Sequence, residues 1–512
     1  MSNRFDFGGV NLRAGEEDSP ARPSPEIPFC IAIIGDFSGR ASRGISDPIS
    51  SGELRPHLVD RDNFDEVLSK LHPELHLPSA DGSSLVFGFS ELEDFHPDRL
   101  LQTQAFQQLR ALRQRLEDPE HFVAAAEEVG LLPPPSAASA PPARSVPRPV
   151  APNPARLASG SLLDELIEET ESRAPADSRR VDSVHDFARQ LSAKYAVSAP
   201  DARHSEVFAA VDRAIGDAIR AILHHPQFQA LEAIWRSTFL LVRGLDTDSK
   251  LRISIVDISK EELAADLNAT VDIRQTALYR LFVEKGIQTL GADPWTIVVG
   301  AYRFGAEDSD LEILGRLSKV AQAAGAIFVS EANPEFLGCE SVVDLAHPRS
   351  WKKPLSSDSW SRLRGGSESA SVALALPRVL LRLPYGRKTS PLESIEFEEF
   401  TAIPVHEEYL WGNPAFIVGL LLGQSFNESN WHMQPGNVAQ VDHLPLHVYD
   451  GPEGSQSKPC AEVLLTDAGV ESILERGLIP MIGFKGRDSV RVGRFQPIAD
   501  ARRPLGGRWE RN

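Results

Sequence analysis

The chain has 512 residues, enough for two or three domains with cores of their own. Its 42% hydrophobic and 24% charged content is that of a soluble globular protein. A formal net charge of −19 argues against nucleic acid or an anionic membrane surface as the main partner, because both reward Lys and Arg.

The N-terminal piece "NRFDFGGVNLRAG" alternates Phe5 and Phe7 with polar residues, the pattern of a short strand, and leads into a charged, proline-containing arm over residues 1–26. It lacks the apolar core of a secretion signal. "IPFCIAIIGDFSGR" then opens an α/β region, 27–130, with a buried strand from Phe29 to Ile34 that breaks at Gly35. "DRDNFDEVLSKL" places Phe64, Val67, Leu68 and Leu71 at helical spacing, with Asp62 or Asn63 as N-cap and His72-Pro73 as the stop. A turn at Asp81-Gly82 leads to an apolar strand, and "DFHPDRLLQTQAFQQLRALRQRL" restarts a helix with Pro97 near its first turn. His72, His76 and His96 fall at element boundaries, and nothing in their spacing brings them together as metal ligands.

Residues 131–160 carry a run of prolines among small residues, an extended linker that separates two bodies. Within the wider span 131–200 lies an island, "SLLDELIEETESR", residues 161–173. Leu162, Leu163, Leu166 and Ile167 make one apolar stripe, and Glu165, Glu168, Glu169 and Glu171 cover the rest. Such a helix either docks back on a domain or serves as a recognition helix for a partner groove.

Residues 201–512 read as a second α/β body: two long helices, then "LRISIVDIS" as strand, "KEELAADL" as helix, "WTIVVGAYRF" as strand, "DLEILGRLSKVAQAAG" as helix and "AIFVSE" as strand. The tail from "AEVLL" adds a strand, a helix and a hairpin. "AFIVGLLLG" from Ala415 is shorter than the roughly 20 residues that span a bilayer. Cys30, Cys339 and Cys460 follow no CxxC spacing and suit free, buried thiols in a reducing compartment. A cytoplasmic protein without membrane insertion is the expectation.

No catalytic constellation, cofactor site or metal site emerges. "GDFSGR" follows a strand but lacks the GxxxxGK[ST] of a P-loop, so a glycine-permitted turn is favoured over a phosphate cradle. "HEEYLWGNP" sets His406 beside Glu407 and Glu408, yet adjacent residues face apart, so no dyad is read there. "LALPRVLLRLPYGRKTSP" carries Arg378, Arg382, Arg387 and Lys388, which either bind an acidic neighbouring subunit or an anion, or satisfy internal carboxylates; the neighbour is preferred.

Two resemblances cover most of the folded chain. "IAIIGDFSGR", "DRDNFDEVLSKLHPEL" and "FSELEDFHPDRLLQ" resemble the small subunit of the type VI secretion contractile sheath. "ALEAIWRSTFLLVRG", "DPWTIVVGAYRF", "AAGAIFVSEANPEFLG", "LALPRVLLRLPYG", "HEEYLWGNPAF" and "CAEVLLTDAGVESILERGLIPM" resemble the large subunit, in the expected order. The resemblance implies an α/β fusion of two sheath-subunit-like bodies joined by the Pro/Ala-rich linker. It implies a bacterial, non-enzymatic structural protomer that self-associates around an inner tube protein, meets a baseplate, and contracts. It also implies that helix 161–173 engages the AAA+ ATPase that dismantles contracted sheaths, and that Phe5 and Phe7 mark a strand exchanged between subunits. Two departures stand out. "GGSESASVALALPR" lacks the Arg and Tyr usual before the Leu-Pro-Arg block, and the family's helical segment and final strand beyond "VRVGRFQPIAD" have no counterpart before Asn512, which leads to an expectation of one-sided linkage. The alternatives are a non-polymerising sheath- or baseplate-associated adaptor and, from another class, a nucleotide hydrolase using "GDFSGR".

Overall fold

The chain begins with a short antiparallel ladder, β1 (Phe5–Phe7) against β2 (Val10–Leu12), with Phe5 opposite Leu12. This ladder is a two-stranded sheet of its own. The structure, a computed structural model, describes residues 5–7, 10–12, 23–46, 49, 54–78, 84–118, 121–128, 200–289, 291–352, 358–452, 454–500 and 503–510. Two compact units are resolved: Met1–Leu77 with Ser84–Ala105 and Gly216–Asn512, and a smaller one of Pro78–Ser83 with Phe106–Ile215.

In the larger unit, the apolar run of β3 (Phe29–Gly35) is buried along its whole length. Continuous burial without alternation is what a strand covered on both faces requires. β4 (His57–Val59) is short and sits at an edge; β5 (Glu74–Pro78) and β6 (Ser84–Gly88) form a separate two-stranded sheet. β7 (Leu251–Asp257), β8 (Trp295–Phe304) and β9 (Ile327–Ala332) are the strands read from the sequence, as is the helix between each pair; β10 (Val372–Leu376) is a further strand that the sequence reading does not assign. β11 (Val379–Leu380) pairs β12 (Trp411–Gly412), and β13 (Gln440–Val441) is an edge strand. β14 (His447–Gly451) and β15 (Gly454–Lys458) form an isolated hairpin; β16 (Ile479–Gly483) and β17 (Val490–Val492) complete the set.

The main sheet has nine strands in the order β13-β17-β16-β10-β9-β8-β3-β7-β4. The six from β16 to β7 are parallel, and antiparallel strands close both ends. The α/β class stands as expected, but the sheet is shared. β3, from the segment before the linker, lies between β7 and β8 from the segment after it, with Ile31 opposite both Ile253 and Ile297. Sequence patterning sees a buried strand in each segment and carries no information on which strand is its neighbour.

Helix Asp308–Ala324 packs on one face, where Leu314 and Leu317 join Ala32, Ile34, Val298 and Phe328 in a single core. On the other face lie helices Pro226–Arg243 and Ala415–Ser429. A Cβ on Gly419 would come 2.9 Å from Val299, and one on Gly35 would come 2.5 Å from Ile234, so a larger residue at either position would force those side chains to shift. From Ala415 to Gly423, helix Ala415–Ser429 is apolar all round because it is buried all round there.

In the smaller unit, Leu109, Leu112 and Leu116 form the buried stripe of helix Gln107–Glu117, and Arg113 reaches Asp212 at 2.7 Å and lies over Phe208. Three local expectations are refined. The helix predicted from Asp94 is divided at Thr103, whose side chain donates to the Leu100 carbonyl. At the helix Phe64–Leu71, Asn63, one of the two expected residues, is the N-cap, but its side chain accepts from no helical N–H; ahead of it Asp60 accepts from the backbone N–H groups of residues 62 and 63. The strand expected at "AEVLL" is reduced to one bridge, Val379 to Ala461.

Candidate functional site

In open parallel sheets, ligands are held outside the carboxyl ends of the strands. Here that rim is occupied by paired side chains of the chain itself. After β3, "GDFSGR" turns sharply: Gly39 has φ +72, and a Cβ there would lie 2.2 Å from the Glu74 carbonyl oxygen, so only glycine fits. The Asp257 carboxylate accepts from the backbone N–H of Phe37 and Ser38 at 2.8 and 3.1 Å and from the Ser38 hydroxyl at 2.6 Å. Asp36 accepts from the N–H of Arg40 and Ala41 at 2.6 and 2.9 Å. The Arg40 guanidinium forks onto Glu262 at 2.7 and 2.6 Å. Burial pushes Asp36 up to about 6, against the pull of its two N–H donors, and burial raises Asp257 as well. These N–H groups are the ones a phosphate would need, and carboxylates already hold them. The adjoining cavity, about 110 Å³ between Asp36, Gly39, Ser42, Leu231 and Ile234, is well below the roughly 300 Å³ of a small-molecule site.

A second cluster lies past the end of β10. Arg378 binds Glu462 through Nε at 3.1 Å and through a terminal nitrogen at 2.5 Å. Glu462 also meets His406 Nε2 at 3.0 Å, and His406 Nδ1 meets Lys458 Nζ at 2.8 Å. Burial alone would raise Glu462; the His406 hydrogen bond and the Arg378 charge overcome it and hold the carboxyl at about 2. Glu331, at the end of β9, contacts Arg303 at 3.2 Å, yet burial dominates and pushes it up to about 7.

The third cluster joins Arg382 to Glu232 at 2.9 Å and to Glu399 at 2.8 Å. Arg236 shares Glu232 and donates to the Tyr385 hydroxyl at 3.2 Å. Burial opposes ionisation of Glu399, but the Arg382 charge, His224 and the Tyr385 N–H bring it down to about 2.

Arg378 and Arg382, expected at a subunit boundary, are therefore spent on internal carboxylates, the other of the two readings left open for them. Glu462 and Glu232 lie 84 and 150 residues away in sequence, so no local spacing could have revealed the pairing. Arg387 and Lys388 remain on the surface, 74% and 83% exposed, beside Glu396 and Asp450. They border an open groove of about 350 Å³ between Tyr385, Phe400, Pro404 and the β14–β15 hairpin. Phe5 and Phe7 lie on β1, which among the described residues pairs with β2 alone. Leu162, Leu163, Leu166 and Ile167 lie outside the described residues. Of the histidines, His72 ends its helix at φ 47, His76 contacts Glu74, and His96 accepts from the Asp98 N–H; the sequence pointed to none of the roles of His406, Lys458 or Glu462. Among the described residues no helix is long and apolar enough to cross a membrane.

Comparison with known proteins accounts for both halves of this architecture. Residues 205–493, more than half of the chain, match the EvpB/VC_A0108 tail sheath N-terminal domain family, and residues 10–129 match the family described as type VI secretion system, VipA, VC_A0107 or Hcp2. A curated relative, the type VI secretion system sheath protein TssC1 of Pseudomonas aeruginosa, is 30% identical over 338 residues, covering 64% of this chain and 67% of the relative. A solved chain from the baseplate of the anti-feeding prophage aligns at 15% identity with a TM-score of 0.28; the alignment covers 53% of this chain and about half of that one, 52%. With the large-subunit match spanning most of the shared sheet and the small-subunit match supplying the interior strand β3 and the edge strand β4, the chain belongs to the type VI secretion tail-sheath family.

Proposed function

We propose that this chain is a structural protomer that polymerises in the bacterial cytoplasm into a helical sheath around an inner tube protein, seated on a baseplate, and contracts to propel the tube. One observation carries the reading: strands from the segments that match the two sheath families lie in a single nine-stranded sheet, so the chain contributes both subunits' strands to one sheet. Covalent fusion also fixes their ratio at one to one. Contraction needs no bond chemistry in such a protomer; the work comes from exchanging one set of intersubunit contacts for another. The nucleotide-hydrolase alternative gains no support from "GDFSGR", whose N–H groups are already bound to Asp36 and Asp257.

The β1–β2 ladder supports a linking role for the N-terminal arm, since it shares no ladder with the main sheet and a detachable strand can add to a neighbour's sheet edge through backbone hydrogen bonds. Deleting residues 1–20 is expected to abolish filaments seen by negative-stain microscopy of the protein expressed with its genomic neighbours. The thermal midpoint of the monomer should stay nearly unchanged. A deletion that melts the monomer would show that the strand belongs to its own core.

Helix 161–173 is proposed as the ligand of an AAA+ recycling ATPase, with Leu162, Leu163, Leu166 and Ile167 filling its groove at about 1.5–3 kcal/mol per buried side chain. Leu163→Asp together with Ile167→Asp should eliminate binding in a peptide titration; an unchanged affinity removes this partner.

A further inference from the structure

Lys458 ends β15 and is tied to a cluster that the assembly reading does not use. Its Nζ lies 2.8 Å from Nδ1 of His406 and 5.4 and 5.3 Å from the ring centres of Tyr409 and Trp411. An ammonium has no lone pair, so Nδ1 must be the acceptor; Nε2 then carries the ring proton and donates to Glu462 at 3.0 Å. Glu462 is fully buried and is also clamped by Arg378, so the imidazole is bonded to a fixed carboxylate. Carboxylate, imidazole and amine therefore stand in line, the arrangement that activates a nucleophile through an oriented base.

We propose that Lys458 is an acyl-acceptor site, with His406 as its base and Glu462 as the residue that positions and supports the imidazolium. The acyl group comes from a small activated donor, an acyl phosphate or an acyl thioester. The proton moves from Nζ to Nδ1, leaving a neutral amine beside an imidazolium that Glu462 stabilises, with no change in the net charge of the cluster. The amine lone pair attacks the acyl carbonyl carbon and the C–N bond forms. The acyl–O or acyl–S bond breaks, and phosphate or thiolate leaves with the bonding pair. The second Nζ proton lost on forming the amide passes to solvent.

The surroundings agree with this direction. Burial lowers the proton affinity of Lys458 below that of an ordinary lysine, although the Glu462 and Glu407 carboxylates oppose it. Lys458 is only partly buried, as a lysine that reacts with a small donor must be. Acylation would remove the charge over both rings and loosen the end of the β14–β15 hairpin.

The test uses the folded full-length chain, incubated at neutral pH with acetyl phosphate in one arm and acetyl-CoA in the other. Acetylation is read at each lysine by peptide mass spectrometry and normalised to the rate in the urea-unfolded chain. Lys458 is expected to react roughly tenfold faster than the exposed Lys250, Lys319 and Lys485 with one or both donors, and the responding arm identifies the source. His406→Asn keeps an acceptor but no base, and should bring Lys458 down to the exposed lysines while a melting curve confirms the fold. A Lys458 rate no higher than theirs in both arms overturns the proposal, as does a fast rate that persists in folded His406→Asn. If that variant does not fold, the comparison within the unaltered chain decides.

Discussion

Arg382→Ala is expected to destabilise the protein by about 3–5 kcal/mol, because it leaves the buried Glu399 without its arginine and Glu232 with only one of its two. Glu232 and Glu399 are 0% and 1% exposed, and Arg382 is the cation between them. Arg236 still reaches Glu232, but no other arginine contacts Glu399 among the described residues. Arg382→Lys should recover only part of the loss, since a single ammonium cannot make the forked contacts of guanidinium. Lys388→Ala, at an exposed pair, should leave the denaturation midpoint in place. The cluster also sets the acid side of the stability profile. Glu399 and Glu462 are held at about 2, below their unfolded value, so their contribution is present above the ordinary carboxylate range and is lost as pH falls toward 2. Glu331, raised to about 7, acts in the opposite sense: its contribution is complete in acid and is lost as pH rises through 7. Urea titrations across pH check both signs. An Arg382→Ala midpoint equal to that of the unaltered protein would show that these carboxylates take up protons or water at little cost.

Cutting the chain within residues 131–160 is expected to leave the two pieces inseparable under native conditions. β3 is held by backbone ladders on both sides, to β7 from Phe29 through Gly35 and to β8 from Cys30 through Ile34. Phe29, Ile31, Ile33 and Ile34 are each 0% exposed, and exposing any one of them costs about 1.5–3 kcal/mol before the ladders are counted. The nicked protein should run as one species on size exclusion at micromolar concentration and come apart only in denaturant. The segment after the linker, expressed alone, should aggregate, because removing β3 leaves two open parallel edges in the middle of its sheet. Pieces that separate in native buffer would rule out the shared sheet.

Local periodicity placed most of the elements, though it missed β10 and expected a strand at "AEVLL" where one bridge forms. The unbroken apolar run of Phe29–Gly35, the stripe of Phe64, Val67 and Leu68, and the strand and helix alternation from Leu251 to Ala332 all formed where the spacing put them. The words of the motifs were enough to name the family. What could not be read was adjacency. That β3 sits between β7 and β8, that Asp257 caps a loop 220 residues earlier, and that His406 turns from its neighbour Glu407 to Glu462 are consequences of strand order and of which charges meet when the strand ends converge. Arginine is equally at home on a surface and against a buried carboxylate, so the fates of Arg378 and Arg387 diverge only once the fold decides where Glu462 and Glu396 lie. Hydrophobic pattern is a property of consecutive residues, whereas an ion pair is a property of two places in space, and the chain specifies the second only by first folding.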